Sequence, residues 1–321
     1  MGSGLVDFTE LRDLSVQRTQ RSVQEILTQR GMHEQMSPHG LTVRECVASD
    51  DHQNPLPILF ALDTTGSMRL VPERLIKKDL LHLLTSLEST GATNGQTPQI
   101  CFCGVADTSD STPFQMGQFE ADNRMDGWLQ KINLGGGGGA EYMYEAYGLV
   151  LYALARKTKC DIWQRGKKGY AVITGDEMCP SSLSRQTIQK VFGDDVPHNL
   201  SLKELLAEAQ EKWNLYFFYV ATGSYQEENI ERIYDFWKNL LGDHAVRLNQ
   251  HATALPEILT AIIGINERVF SAEDVPVDLR ELGCEEEIVL AAAKALGVDP
   301  QLPKNAAAQG AKKRRRGPKE L

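Results

Sequence analysis

The clearest pattern in the chain is an alternation of short apolar runs with longer segments in which apolar residues recur every three or four positions. Such runs are typical of buried strands, and such spacing is typical of helices. The runs predict strands at residues 58–62, 100–105, 169–175, 215–221 and 245–248. Helices are predicted at about 71–90, at 149–154, over most of 180–212, and at 226–241 and 254–269. This alternation predicts an α/β fold with a doubly wound, mostly parallel sheet and helices on both faces.

The same pattern divides the chain into four segments. Residues 1–54 are predicted to form an N-terminal extension with one or two modest helices and an irregular lead-in, and residues 55–270 the main α/β domain. Residues 271–300 predict a small helical extension. Residues 301–321 are rich in alanine and basic residues and are predicted to be disordered.

Composition excludes several classes of protein. Hydrophobic residues make up 41% of the 321 residues, which is enough for a globular core. No stretch approaches the roughly 20 apolar residues of a membrane helix, and the first residues lack a signal-peptide pattern. We therefore expect a cytoplasmic protein with reduced thiols rather than a disulfide framework. The six cysteines are Cys46, Cys101, Cys103, Cys160, Cys179 and Cys284.

Charge is distributed unevenly. The formal net charge is -9, but residues 312–321 hold six basic residues and one acid and so carry +5, which leaves -14 on the other 311 residues. The main body is therefore acidic and the end of the chain is basic. The run from Lys312 to Lys319 fits a contact with nucleic acid, an anionic surface or a nuclear import receptor, and it fits a solvated tail equally well.

The candidate chemistry follows the first predicted strand. There Asp63, Thr65 and Ser67 alternate in a short polar loop, so three oxygen-bearing side chains can point to one place. Open α/β sheets bind ligands at the carboxyl ends of their strands, and oxygen ligands suit a hard cation. The alternative is a polar strand-to-helix turn in which Ser67 caps the helix.

This loop resembles the metal-ion-dependent adhesion site (MIDAS) of von Willebrand factor A (VWA) domains. The resemblance covers about residues 55–270 and is closer to bacterial intracellular VWA proteins. It is carried by residues 44–46, 57–68, 117–120, 136–141 and 173–177. It implies one Mg²⁺ or Mn²⁺ ion bound by side chains from three loops, with a vacant position for water or a partner's oxygen. The implied metal ligands are Asp63, Thr65, Ser67, Glu141 and Asp176.

Glu141 departs from the family pattern, since many VWA domains have a threonine at this position. Three carboxylates around a +2 ion leave the site net negative, which disfavours an acidic ligand and favours a neutral or basic partner. The resemblance implies a non-enzymatic, cation-dependent protein-interaction module. It suggests an AAA+ ATPase as partner, or a role in a bacterial stress or defence operon.

Two other functions remain open from the residues. In a phosphohydrolase of the haloacid-dehalogenase type, Asp63 would be the nucleophile, Thr174 a phosphate ligand, Lys190 the charge partner, and Asp194 and Asp195 the metal acids. Against it, Thr65 stands where such phosphatases usually place a second aspartate. A VWA scaffold that has lost its metal is the other alternative.

Two neighbouring loops bear on the same site. The glycines at residues 135–139 lack the Gly-Lys-Ser/Thr sequence of a phosphate-binding loop, so we expect them to let a backbone approach the metal site closely. Asp107 and Asp110 predict either a solvated turn or an accessory metal or docking loop.

Overall fold

A computed structural model describes residues 4–137, 143–221, 227–248, 252–281 and 283–300. The strands are β1 (Arg44–Cys46), β2 (Pro55–Asp63), β3 (Thr97–Val105), β4 (Phe114–Met116), β5 (Thr158–Cys160), β6 (Gly169–Gly175), β7 (Ser182–Leu183), β8 (Leu200–Ser201), β9 (Trp213–Tyr219) and β10 (Ala245–Arg247). The helices are α1 (Phe8–Thr19), α2 (Val23–Ile26), α3 (Leu70–Arg74), α4 (Leu80–Thr90), α5 (Arg124–Gln130), α6 (Tyr147–Arg156), α7 (Arg185–Phe192), α8 (Leu202–Lys212), α9 (Glu227–Leu241), α10 (Leu255–Asn266), α11 (Val275–Glu281) and α12 (Glu286–Ala295).

The centre of the fold is a six-stranded sheet with the strand order β10-β9-β6-β2-β3-β4. Its strands pair in parallel except for β4, which runs antiparallel to β3 at one edge. All nine residues of β2 are buried because this strand lies in the middle of a sheet covered on both faces. The predicted α/β fold with a mostly parallel sheet is confirmed.

The connections explain why the helices form two layers. The chain moves from β2 to β3 in one direction along the sheet, then returns and continues from β6 to β9 and β10 in the other. Right-handed connections that move in opposite directions place their helices on opposite faces. Accordingly, α4 packs against α10 and α1, whereas α6 packs against α8. The carboxyl ends of β2 and β6 lie side by side at the point where the direction reverses.

The structure also contains strands that the hydrophobic pattern did not predict. β1 pairs in parallel with β5, and β7 pairs with β8, in two small sheets outside the main one. β4 and α5 lie between residues 106 and 131, where the hydrophobic pattern predicts neither a strand nor a helix. Residues 180–212 were predicted to be largely helical, but they hold β7 and β8 beside their two helices. Strands of two or three residues are too short to show a period, so they escape such an analysis.

The cysteines and the helices bear on the expected thiol state and on the expected lack of a membrane span. All six cysteines are free thiols, and five of them are buried. No helix in the described part of the chain is long and apolar enough to cross a membrane.

Candidate metal centre

The loop after β2 brings three predicted ligands together. Asp63 is fully buried, and its Oδ1 accepts hydrogen bonds from the backbone N of Thr65 at 2.9 Å and from Thr65 Oγ1 at 2.5 Å. Thr65 Oγ1 lies 3.4 Å from Ser67 Oγ. The chain then enters a 3₁₀ turn, Gly66–Met68, and α3 begins after Arg69, so Ser67 does not cap that helix.

A second predicted ligand lies next to Asp63 at the adjoining strand end. Asp176 directly follows β6 and is 1% exposed. The pKa of Asp63 is raised to about 7, chiefly by burial and then by the negative charge of Asp176, while hydrogen bonds from Thr65 and Tyr147 act in the opposite direction. The two carboxylates therefore lie close enough to repel each other, in a site shielded from water.

Tyr147, at the start of α6, was not predicted as a site residue. Its hydroxyl donates to Asp63 Oδ2 at 2.6 Å, and its buried ring packs edge-on against Phe217 and Trp237. A Cβ atom on Gly175 would lie 2.0 Å from the hydroxyl, so a glycine there allows the approach. Burial, followed by the charges of the nearby acids, raises the pKa of Tyr147 well above its usual value, and the hydroxyl stays a donor.

Glu145 is the second residue that the sequence analysis missed. It is 4% exposed, and its backbone N donates to the carbonyl of Met178 at 2.9 Å, next to the end of β6. Its pKa is raised to about 10, chiefly by burial and then by the negative charges of nearby acids, which are Asp63, Glu177, Asp107 and Asp110. Its Oε2 is buried and has no hydrogen-bond partner among the described residues.

The Asp107 loop packs beside the glycine-rich segment. Asp110 Oδ2 accepts from the backbone N of Asp107 at 3.2 Å and from that of Gly137 at 3.3 Å. A Cβ atom on Gly136 would lie 3.2 Å from Thr64 Oγ1, so the glycine backbone approaches the loop after β2 closely. Asp107 is buried, whereas a solvated turn would leave its side chain exposed.

Part of the predicted site lies outside the described residues. These include Gly138, Gly139 and Glu141. Within the described ranges, no group of three His, Cys, Asp or Glu side chains is placed to hold a metal ion. The oxygen donors that the structure does place together are the Asp63 carboxylate, the Thr65 and Ser67 hydroxyls, and Asp176 beside them. Hard oxygen donors of this kind fit Mg²⁺ or Mn²⁺ rather than a soft metal.

The residues that a phosphohydrolase mechanism would need beside Asp63 lie in other environments. Asp194 accepts hydrogen bonds from Tyr152 at 2.5 Å and from Lys157 at 2.7 Å. Asp195 is exposed, as is Lys190. Thr174 is buried within β6. The acids and the lysine of that mechanism are thus engaged elsewhere or face solvent.

No protein-family model matches the chain, and no curated protein is significantly similar to it in sequence. Two crystal structures of the pilus adhesin SpaC from Lactobacillus rhamnosus GG, one in an open conformation, are similar at 11% identity over 66% of this chain, with TM-scores of 0.44 and 0.41. Proximal thread matrix protein 1 from the mussel byssus is similar at 11% identity over 66% of this chain, with a TM-score of 0.36. The matches span 30% and 31% of the adhesin chains and 46% of the matrix protein. Likeness at this level carries no inference about function.

Proposed function

We propose that this chain is a non-enzymatic protein-interaction module of the VWA type, whose docking face is organised by one Mg²⁺ or Mn²⁺ ion. Asp63, Thr65, Ser67 and Asp176 would hold the ion, together with Glu141. The observation that carries the proposal is the pair of buried carboxylates, Asp63 and Asp176, at the switch point of the sheet with two hydroxyls beside Asp63.

Electrostatics supports a cation at this place. Buried carboxylates without a compensating positive charge are costly, and the strongest electrostatic influences on Glu145 all come from acids. In the part of the chain that the structure describes, Glu145 Oε2 also has no hydrogen-bond donor. A divalent cation would offset this accumulated charge and would bring the carboxylates into their ionised form.

The partner follows from the charge that remains. With Asp63, Glu141 and Asp176 ionised, the filled site is net negative, so a neutral or basic protein surface would dock there more readily than an acidic one. From the resemblance to bacterial intracellular VWA proteins, we include a cytoplasmic location and an AAA+ ATPase partner in the proposal.

The first test is a calorimetric titration of the chelator-stripped chain with Mg²⁺ and with Mn²⁺. We expect saturable 1:1 binding by the wild type and its loss in Asp63→Asn. The matched control is Asp195→Asn, because Asp195 has an 80% exposed side chain and pairs with Arg185 away from the site. This control should bind like the wild type.

A metal ion that binds the folded chain but not the unfolded chain also stabilises the fold. Saturating Mg²⁺ should raise the melting temperature of the wild type and leave that of Asp63→Asn unchanged. A folded wild type that binds neither ion would remove the cation-dependent module and favour the metal-free scaffold.

A further inference from the structure

A cavity of about 590 Å³ lies where the C-terminal helical extension meets the edge of the sheet. Its walls come from the edge strand β10, from α9 and α10, and from the end of α12. β10 is three positions from β2 in the strand order, which at about 4.8 Å per strand separates the cavity from the metal loop by roughly 14 Å. Pockets for small molecules have volumes of roughly 300–1,000 Å³, so an organic ligand fits here. The apolar lining includes Val246, Ile262, Ile265 and Leu296.

One wall of the cavity is aromatic and is held in place by the fold. The ring of His244 stacks on that of Tyr216, with centroids 4.2 Å apart and planes 15° apart. Because a carbonyl oxygen only accepts hydrogen bonds, His244 Nδ1 carries a proton and donates to the carbonyl of Leu215 at 2.9 Å. Tyr234 also lines the cavity, and its hydroxyl donates to the carbonyl of Ala245 at 3.3 Å. Fixed aromatic rings of this kind suit a planar ring on a ligand.

A buried hydroxyl gives the cavity a polar anchor. Tyr216 is 6% exposed, and its hydroxyl oxygen accepts from Asn266 Nδ2 at 3.2 Å, with both residues lining the cavity. Burial raises the pKa of Tyr216, so the hydroxyl keeps its own proton at neutral pH. Among the described residues, no acceptor takes a hydrogen bond from this proton. The hydroxyl can therefore donate to an oxygen of a ligand.

The charged residues of the cavity favour an anion. They are Lys238, Lys294 and Asp243, which give a formal charge of +1 with His244 neutral. Residues 1–311 as a whole carry -14, so a positive cavity stands out on an acidic body. Lys238 pairs with Asp243 at 2.8 Å, but their side chains are 43% and 99% exposed, so the pair is weak and Lys238 can turn to a ligand. Lys294 is exposed near the end of α12.

We propose that this cavity is a binding site for a small organic anion that carries a planar ring. The ring would pack against His244 and Tyr234. The anionic group would accept hydrogen bonds from Lys238, Lys294 and the Tyr216 hydroxyl. Such a ligand contacts both the main domain and the C-terminal extension, so it would hold the extension against the sheet edge. An aromatic carboxylate and a nucleotide share this chemistry.

The first test is a calorimetric titration of the full-length chain with naphthoate, an aromatic carboxylate. We expect saturable 1:1 binding. Two matched probes separate the two features, because naphthamide keeps the ring without the charge and decahydronaphthoate keeps the charge without a planar ring. Each should bind about tenfold more weakly than naphthoate. Equal affinities for the three probes would overturn the inference, as would a lack of naphthoate binding at millimolar concentration.

Substitutions then locate the probe. Lys238→Gln combined with Lys294→Gln should weaken naphthoate binding about tenfold, and Tyr216→Phe, which keeps the stacked ring, about threefold. The control is Lys203→Gln, because Lys203 is exposed on α8 and does not line the cavity. Melting temperatures establish that each variant is folded. Wild-type affinity in both the lysine variant and Tyr216→Phe would refute this site.

A further titration with adenosine monophosphate distinguishes the two sources of the anion. Binding tighter than that of naphthoate, and weakened by the lysine substitutions, would identify a nucleotide site, whereas weaker binding would identify a site for an aromatic acid. Asp63→Asn should bind naphthoate as the wild type does, because the cavity is separate from the metal loop. The inference is therefore tested independently of the Mg²⁺ titration.

Discussion

At the residue scale, the contact between Tyr147 and Gly175 makes the site sensitive to a single methyl group. In Gly175→Ala the new Cβ would lie 2.0 Å from the tyrosine hydroxyl, so the ring must move and its hydrogen bond to Asp63 would be lost. We expect a loss of about 1–3 kcal/mol in the free energy of unfolding, measured by urea denaturation. We also expect weaker Mg²⁺ binding. Gly31→Ala is the control, because a Cβ there meets nothing within 4 Å and Gly31 lies outside the metal loop.

Two buried glutamates should respond oppositely to loss of their charge. Within the described ranges neither oxygen of Glu257 has a hydrogen-bond partner, although His82 Nε2 lies 3.4 Å from Oε1. Glu267 accepts hydrogen bonds from Lys167 at 2.6 Å and from Gln96 at 2.8 Å. At neutral pH we expect Glu257→Gln to raise the urea midpoint. Glu267→Gln should lower stability by roughly 1.5–3 kcal/mol, because it removes an ionised acceptor.

The direction of the pKa shift of Glu257 determines how the effect of Glu257→Gln depends on pH. Burial raises the pKa of Glu257 above its usual 4.5. The folded chain therefore holds this proton more tightly than the unfolded chain, and the contribution to stability is full below pH 4.5 and falls as the pH rises through the folded pKa. The advantage of Glu257→Gln over the wild type should grow from pH 4.5 upwards. An advantage that is constant with pH would show that the pKa of Glu257 is the same in the folded and the unfolded chain, and would refute the raised pKa.

At the scale of elements, one arginine joins three segments near the site. Arg18 in α1 forms a paired contact with Asp126 in α5 at 2.5 and 2.8 Å, and it donates to the carbonyl of Ile76 at 3.1 Å. Ile76 lies in a π-helical segment, Leu75–Asp79, between α3 and α4, where the wider turn changes the usual backbone pairing. The N-terminal extension thus supports the helix that follows the metal loop.

Removing this arginine should be costly because Asp126 would be left buried and unpaired. Arg18→Ala is expected to lower the free energy of unfolding by about 3–5 kcal/mol, whereas Arg12→Ala, exposed on the same helix, should change it little. Arg18→Met combined with Asp126→Leu should recover most of the loss, since no charge is then stranded. Calorimetric melting of the four chains tests this, and equal melting temperatures for Arg18→Ala and Arg12→Ala would refute it.

The success of prediction at this scale depended on element length. β2, β3, β6 and β9 have seven or nine residues and are buried on both faces, so their apolar runs are visible in the sequence. β1 has three residues and owes its existence to β5, which lies more than a hundred positions away. Pairing at that distance leaves no local pattern.

At the scale of the whole molecule, topology makes the candidate site. Asp63 and Asp176 could be predicted as site residues because each follows an apolar run that is visibly a strand, and the sheet order then makes them neighbours. Glu145 and Tyr147 could not, because neither ends a strand. Their role arises from the way the segment before α6 runs beside Met178, a contact that only the folded chain provides.

The thiols give a test of the fold as a whole. A chain of 321 residues can bury enough apolar surface to fold without cross-links, and five of its six cysteines are buried. Cys284 is half-buried, and burial raises its pKa to about 11, so even this thiol should react slowly. We expect an aromatic disulfide reagent to modify at most one thiol in the native wild type and none in Cys284→Ser. In denaturant it should modify six and five, respectively. Removal of reductant should leave the melting temperature unchanged, and a rise accompanied by paired loss of thiols would reveal a disulfide that the structure does not contain.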